Sequence, residues 1–100
     1  IGSESVVVVD ARHEAIFAVG HIPNAISLPR SSFNEAYNRL KTTLEEDRDR
    51  LIVIYCSGPE CMDSYLVKMG LENLGYTNAK VYKGGWEEWS RLSSMISVHR

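Results

Sequence analysis

Two uninterrupted apolar runs, at residues 6–9 and 51–55, stand out along the chain. Neither run alternates with polar positions, a pattern that is typical of strands buried on both faces of a parallel sheet. We predict a strand at each run, and polar Asp10 and the thiol of Cys56 follow directly at their ends. Two weaker apolar runs predict shorter strands at residues 25–28 and 80–82.

Between these strands, apolar residues recur at helical spacing. One helix is predicted to begin at Ser32, because Ser32 and Glu35 have the spacing of a capping box. A second helix is predicted at residues 62–74, with Gly75 as its C-terminal stop. Its inward face is expected to carry Tyr65, Leu66, Met69 and Leu74. Two shorter helices are expected at residues 14–19 and 86–92.

Strands that alternate with helices favour a single α/β domain, with a mostly parallel central sheet and helices on both faces. Sheets of this kind place ligand sites at the carboxyl ends of their strands. Asp10 and Cys56 both lie at such ends, so this edge of the sheet is the first candidate for a functional site. We expect Asp10 and Arg12 to hold the structure of this edge through hydrogen bonds rather than to take part in chemistry.

The composition narrows the class of protein. A chain of 100 residues is enough for one domain, and 11 basic against 13 acidic residues give a net charge of −2, so a basic nucleic-acid surface is not expected. No apolar run approaches the ~20 residues that cross a membrane.

Two cysteines do not make a disulfide scaffold, which favours a reducing, cytoplasmic location. Because the chain begins at Ile1, we expect residues 1–100 to be a piece of a longer chain that lacks N-terminal residues and has additional domains.

The segment after Cys56 is the most informative part of the sequence. A buried strand delivers the cysteine to the sheet edge, a loop with Gly58 and Pro59 follows, and a helix begins soon afterwards. Backbone N–H groups of such a loop and the N-terminus of the helix would lower the pKa of the thiol. The resulting thiolate would be a nucleophile suited to covalent catalysis. An inert buried cysteine at the end of a strand is the alternative interpretation.

Five short segments, spread in order over almost the whole chain, carry a family resemblance. They are residues 9–12 (VDAR), residues 20–29 (GHIPNAISLP), Cys56, residues 75–76 (GY) and residues 84–89 (GGWEEW). Each segment is weak evidence alone. Taken together and in this order, they make the sequence resemble the rhodanese-like sulfurtransferase domain family.

The resemblance implies a reaction for Cys56, which falls where the family carries its persulfide-forming cysteine. The Cys56 thiolate would take the outer sulfur of thiosulfate or of another persulfide, and a thiol or cyanide would then remove that sulfur. Neither a metal nor an organic cofactor is implied. The transferred sulfur would be held by backbone N–H groups of the following loop, those of Ser57, Gly58, Glu60, Cys61, Met62 and Asp63.

The charge of this loop departs from the family pattern. Many members carry Arg or Lys in the loop, whereas here no basic residue lies between Cys56 and Lys68, and Asp63 stands where a base is often found. A carboxylate opposes thiolate formation and repels a dianion. We therefore expect a neutral or protein-bound persulfide donor rather than thiosulfate. Ser64 is expected to take the place of the serine that closes the loop in the family.

Cys61 lies five residues after Cys56 in the same loop, and three interpretations stay open. It is a bystander, a resolving thiol that forms a disulfide with Cys56 on oxidation, or an acceptor of the sulfur from Cys56. A zinc site that uses both cysteines is not expected, because no second close pair of ligands is present.

Two other functions are alternatives to sulfur transfer. Phosphatases of related design place Arg six residues after the cysteine to bind an oxyanion, and here that position holds Met62. The phosphatase interpretation is therefore weak. The main alternative is a non-catalytic rhodanese-like binding or regulatory module within a multidomain protein.

Overall fold

The computed structural model describes residues 6–98, and residues 1–5 and 99–100 of the predicted domain lie outside them. In chain order the elements are β1 (Val6–Asp10), α1 (Glu14–Val19), β2 (Ile26–Ser27), α2 (Phe33–Glu45), β3 (Leu51–Tyr55), α3 (Asp63–Asn73), β4 (Ala79–Val81) and α4 (Gly85–Val98). The strands form a parallel sheet in the order β2-β1-β3-β4. The prediction of a single α/β domain around a parallel sheet is confirmed.

The two apolar runs form the central strands of this sheet. Val9 is in register with Ile54, and Asp10 with Tyr55, so β1 and β3 end side by side. Cys56 follows β3 at this edge, where Ala11 N–H donates to the carbonyl of Tyr55 over 2.9 Å. The expected meeting of Asp10 and Cys56 at one edge of the sheet is therefore present.

The hydrophobic core lies between the sheet and helices α2 and α3. Val9, Ile52 and Ile54 are fully buried in it. Burial along β3 alternates between complete and partial, so the face that carries Leu51 and Val53 is less deeply covered than the uninterrupted apolar run predicted. Side chains of both helices complete the cluster, among them Ala36, Tyr37, Leu44, Val67 and Leu71.

Helix α3 meets the core through a different face from the one predicted. Ser64, Val67 and Leu71 are its buried residues, whereas the predicted inward residues are exposed to between 36% and 56%, namely Tyr65, Leu66, Met69 and Leu74. The small residues on the buried face, Ser64 and Gly70, explain this difference. A Cβ built at Gly70 would lie 3.0 Å from the ring of Phe33, so the helix packs closely along its least bulky side.

The helix ends agree only in part with prediction. Gly75 has φ +97°, and the N–H groups of Gly75 and Tyr76 donate to the carbonyls of Glu72 and Leu71, which completes the predicted stop of α3. Ser32 is the N-cap of α2, but its side chain makes no capping hydrogen bond, so the capping box is wrong.

The last helix, α4, is longer than the predicted residues 86–92. Within residues 6–98, no helix is both long and apolar enough to pass through a lipid bilayer.

Candidate active site

Cys56 is held at the junction of β3 and α4. Trp86 N–H donates to the Cys56 carbonyl and Glu87 N–H donates to the Ser57 carbonyl, each over 2.9 Å. The N-terminus of α4 therefore fixes the backbone of the segment between β3 and α3, residues 57–62, called here the cysteine loop. Gly85 makes this contact possible, because it has φ +61° and lies against the loop backbone.

A tight turn brings the second cysteine back to the first. Cys61 N–H donates to the Gly58 carbonyl over 3.1 Å, and Pro59 lies at the second position of the turn, where its fixed φ is favourable. Cys61 packs, partly buried, against the core cluster. The structure joins Cys56 and Cys61 in a disulfide, with their Cα atoms 6.3 Å apart.

The sulfur of Cys56 has two polar neighbours. Its Sγ lies 3.3 Å from Oγ of buried Ser64 and 3.4 Å from the carbonyl oxygen of Cys61. In the reduced protein the Ser64 hydroxyl is placed to donate a hydrogen bond to the sulfur of Cys56. Ser64 thus occupies the position expected for the serine that closes the loop.

The loop amides differ in how they are used. Cys61 N–H is engaged by Gly58, and Pro59 has no N–H. Within the described residues, no backbone carbonyl accepts from the N–H groups of Ser57, Gly58, Glu60 or Met62. These four donors are therefore available to a bound anion or to water.

An open cavity of about 390 Å³ lies over the loop, lined by Ser57, Gly58, Pro59, Glu60, Cys61 and Glu87. The carboxylate of Glu87 lies on the loop, since a Cβ built at Gly58 would be 2.7 Å from Glu87 Cδ. Glu60 is an exposed second acid at the cavity, and Asp63 is the first residue of α3. The lining contains no basic side chain, so the cavity has a negative character.

Beneath the site, a buried ion pair ties the strands to the loops. Asp10 is fully buried and accepts from Arg12 Nη2 over 2.7 Å, from Arg12 Nε over 3.0 Å and from the Tyr55 hydroxyl over 2.7 Å. Arg12 Nη2 also donates to the Gly20 carbonyl, and its guanidinium lies 4.9 Å from the ring centroid of Trp86. Asp10 and Arg12 therefore have the structural role that was predicted for them.

The surroundings of this ion pair shift the pKa values of Tyr55 and Arg12. Burial raises the pKa of Tyr55 to about 12, and the neighbouring Asp10 carboxylate acts in the same direction. Burial by itself would lower the pKa of the Arg12 guanidinium. The hydrogen bond to Asp10 and the negative charge of Asp10 raise this pKa, and together they outweigh burial, so the pKa of Arg12 lies above its ordinary value. Both shifts favour a protonated Tyr55 and a charged Arg12, which are the states that donate hydrogen bonds to Asp10.

The predicted site residues lie together, but their side chains differ in whether they contact Cys56. Cys56 contacts both Cys61 and Ser64, whereas Met62 is 59% exposed. Sequence reasoning missed Glu87 as a lining residue. Its signal was the acidic pair Glu87-Glu88, which follows Trp86 after the Gly84-Gly85 turn. Within residues 6–98, no three His, Cys, Asp or Glu side chains are close enough to hold a metal ion.

Comparisons with known proteins agree with this geometry. The family model described as the rhodanese-like domain matches residues 1–92. A tRNA uridine(34) hydroxylase of Erwinia tasmaniensis is 32% identical over 85 residues, which are 85% of this chain and 24% of that protein. The chain thus spans about a quarter of the length of such curated relatives.

Solved structures share the fold. A protein of Bacillus halodurans superposes with a TM-score of 0.75 at 30% identity, over 92% of this chain and 63% of that one. A human single-domain sulfurtransferase superposes with a TM-score of 0.72 at 23% identity, over 90% of this chain and 85% of that one. The family model and these shared features establish that the chain belongs to the rhodanese-like domain family.

Proposed function

We propose that this domain is a sulfurtransferase, which takes a sulfane sulfur onto Cys56 and passes it to a thiophilic acceptor. The observation that supports the proposal is the position of Cys56. It lies at the carboxyl end of a central strand, beside the Ser64 hydroxyl, at the head of a loop whose free N–H groups border an open cavity. A structural cysteine needs none of these features.

The reaction follows from the chemistry of a thiolate. The Cys56 thiolate attacks the outer sulfur of a donor, the donor's S–S bond breaks, and the donor leaves as a thiolate or sulfite. The Cys56 persulfide carries a negative charge on its terminal sulfur. The free N–H groups of Ser57, Gly58, Glu60 and Met62 are the groups that we assign to stabilise it.

The charge of the cavity selects the donor. Glu60 and Glu87 line the cavity and Asp63 begins the next helix, so a dianion such as thiosulfate meets repulsion from three carboxylates. A neutral or protein-bound persulfide does not carry two charges into this field. We therefore assign a persulfide as donor and a thiol as acceptor, with no nucleic acid and no membrane among the partners.

The disulfide form cannot accept sulfur. Cys56 is 2% exposed and is bonded to Cys61, so its sulfur is both covered and already oxidised. Reduction must come first, which fits a reducing compartment such as the cytoplasm.

Two other functions compete with this one. The curated relatives are named for tRNA uridine(34) hydroxylation, and this chain corresponds to about a quarter of their length. A domain that supports such a reaction within a longer protein is thus a second candidate, although a net charge of −2 does not favour tRNA binding by these 100 residues alone. A non-catalytic regulatory module is the third.

Mass spectrometry of the reduced protein tests sulfur transfer against the other two functions. After incubation with thiosulfate or with the hydropersulfide of 2-mercaptoethanol, which carries at most one negative charge, the Cys61→Ser protein should gain the mass of one sulfur atom. The gain should disappear in the Cys56→Ser, Cys61→Ser double variant, whose fold is checked by circular dichroism. If neither donor adds sulfur to the folded Cys61→Ser protein, Cys56 is not a sulfur acceptor, and the other two functions are favoured.

A further inference from the structure

Cys61 lies in a surface loop, yet its side chain points inward. The Gly58–Cys61 turn returns the chain toward Cys56, and the Cys61 side chain packs partly buried against the core. The Cα distance of 6.3 Å to Cys56 is within the usual disulfide range of about 4.4–6.8 Å. The loop therefore holds a second thiol against the first without any rearrangement of the fold.

We propose that Cys61 is a second catalytic residue, which discharges the Cys56 persulfide and releases its terminal sulfur as sulfide. This inference rests on the proposed function. The Cys61 thiol gives its proton to the terminal sulfur of the persulfide, and the resulting Cys61 thiolate attacks Sγ of Cys56. A Cys56–Cys61 bond forms as the bond between Cys56 Sγ and the terminal sulfur breaks, and the terminal sulfur leaves as hydrosulfide.

The electrons balance within the domain. Two cysteine thiols are oxidised to a disulfide, and the sulfane sulfur is reduced to sulfide. The product is the disulfide that the structure contains. A reducing dithiol then restores both thiols for the next turnover, so the external reductant acts on the disulfide and not on the persulfide.

The charge of the cavity gives Cys61 an advantage over external acceptors. Thiolates and cyanide are anions, and they approach the persulfide past Glu60 and Glu87. Cys61 is already in contact with Cys56 and makes no such approach, so its attack is favoured by proximity. The negative lining thus favours internal discharge.

A single-turnover experiment tests this step. The reduced protein is freed of reductant under anaerobic conditions and mixed with one equivalent of the hydropersulfide of 2-mercaptoethanol. We expect the native sequence to release about one equivalent of sulfide per chain and to lose two free thiols. Cys61→Ser should instead keep its sulfur as a stable persulfide, and Cys56→Ser gives the background of donor decay.

The outcomes separate the two proposals. If the native protein and Cys61→Ser both keep the persulfide, internal discharge is wrong and sulfur transfer stands. If neither takes up sulfur, both proposals are wrong. Cys61→Ala serves as a second variant, and it must behave like Cys61→Ser if the thiol itself is what matters. Equal sulfide release from Cys61→Ala and the native protein would also overturn the inference.

Discussion

Gly85 lies directly against the backbone of Cys56. A Cβ built at Gly85 would be 2.5 Å from the Cys56 carbonyl oxygen and 2.9 Å from the Gly58 nitrogen, and both of these atoms belong to the main chain. Because φ at Gly85 is +61°, only glycine adopts its conformation freely. The close approach lets the N-terminus of α4 fix the backbone at the cysteine.

Gly85→Ala is therefore expected to lower both stability and activity. The left-handed conformation and the clash with main-chain atoms should cost at least about 2 kcal/mol of unfolding free energy. Persulfide formation on Cys56 should slow as well, because the loop must shift. Urea unfolding and the rate of sulfur uptake measure the two effects.

Gly20→Ala is the matched control for that variant. Gly20 has an extended backbone, and its added Cβ would meet only the Trp86 ring at an ordinary 3.6 Å. Its stability should stay within about 1 kcal/mol of the native protein. If both variants unfold at the same urea concentration, the contact of Gly85 with the cysteine loop does not stabilise the fold as we predict.

Glu87 is expected to disfavour anionic donors. Glu87→Gln removes one negative charge from the cavity lining and keeps the size of the side chain. The KM for thiosulfate should fall roughly three- to tenfold at low ionic strength, and the effect should shrink as salt is added. The KM for the hydropersulfide of 2-mercaptoethanol, which carries at most one negative charge, should fall less. Steady-state kinetics in the Cys61→Ser background measure both.

The neighbouring acid provides a control for Glu87. Glu88 accepts a hydrogen bond from the Tyr82 hydroxyl over 2.6 Å and does not line the cavity. Glu88→Gln should leave the ratio of the two KM values unchanged. An equal fall in the thiosulfate KM for both variants would point to overall net charge instead of a local effect of Glu87.

The sequence predicted the position of Cys56 because that prediction needed only local patterns. A buried apolar run sets the end of β3, and parallel pairing brings that end beside Asp10. The place of Ser64 at the end of the loop was also expected, from the family resemblance, whereas its contact with Cys56 was not predicted. Short-range periodicity and the order of motifs are enough for these features.

Other features depended on packing between distant segments. The inward face of α3 was wrong because the close contact of Gly70 with Phe33 favours the small-residue side over the larger apolar side chains. Glu87 reaches the cysteine loop only through the turn at Gly85, some 30 residues after Cys56 in the sequence. Neither contact leaves a periodic signal.

The Asp10–Arg12 ion pair should show strong coupling. Arg12→Met leaves the fully buried Asp10 carboxylate without its cation, and Asp10→Asn leaves the guanidinium without its anion. Each single change should cost about 3–5 kcal/mol of unfolding free energy, whereas the double variant should lose clearly less than the sum. Urea unfolding of the four proteins measures the coupling. Additive losses would mean that the two charges stabilise the fold independently.

Tyr55 should make the fold sensitive to alkaline pH. Burial raises its pKa to about 12 in the folded protein, above an ordinary value of about 10 in the unfolded chain. Below pH ~10 the tyrosine is protonated in both states, and its contribution to stability is complete. Between pH ~10 and ~12 only the unfolded chain loses the proton, so stability falls as pH rises. Urea unfolding across this range should show a smaller decline in Tyr55→Phe, and an identical decline in both proteins would refute the assignment.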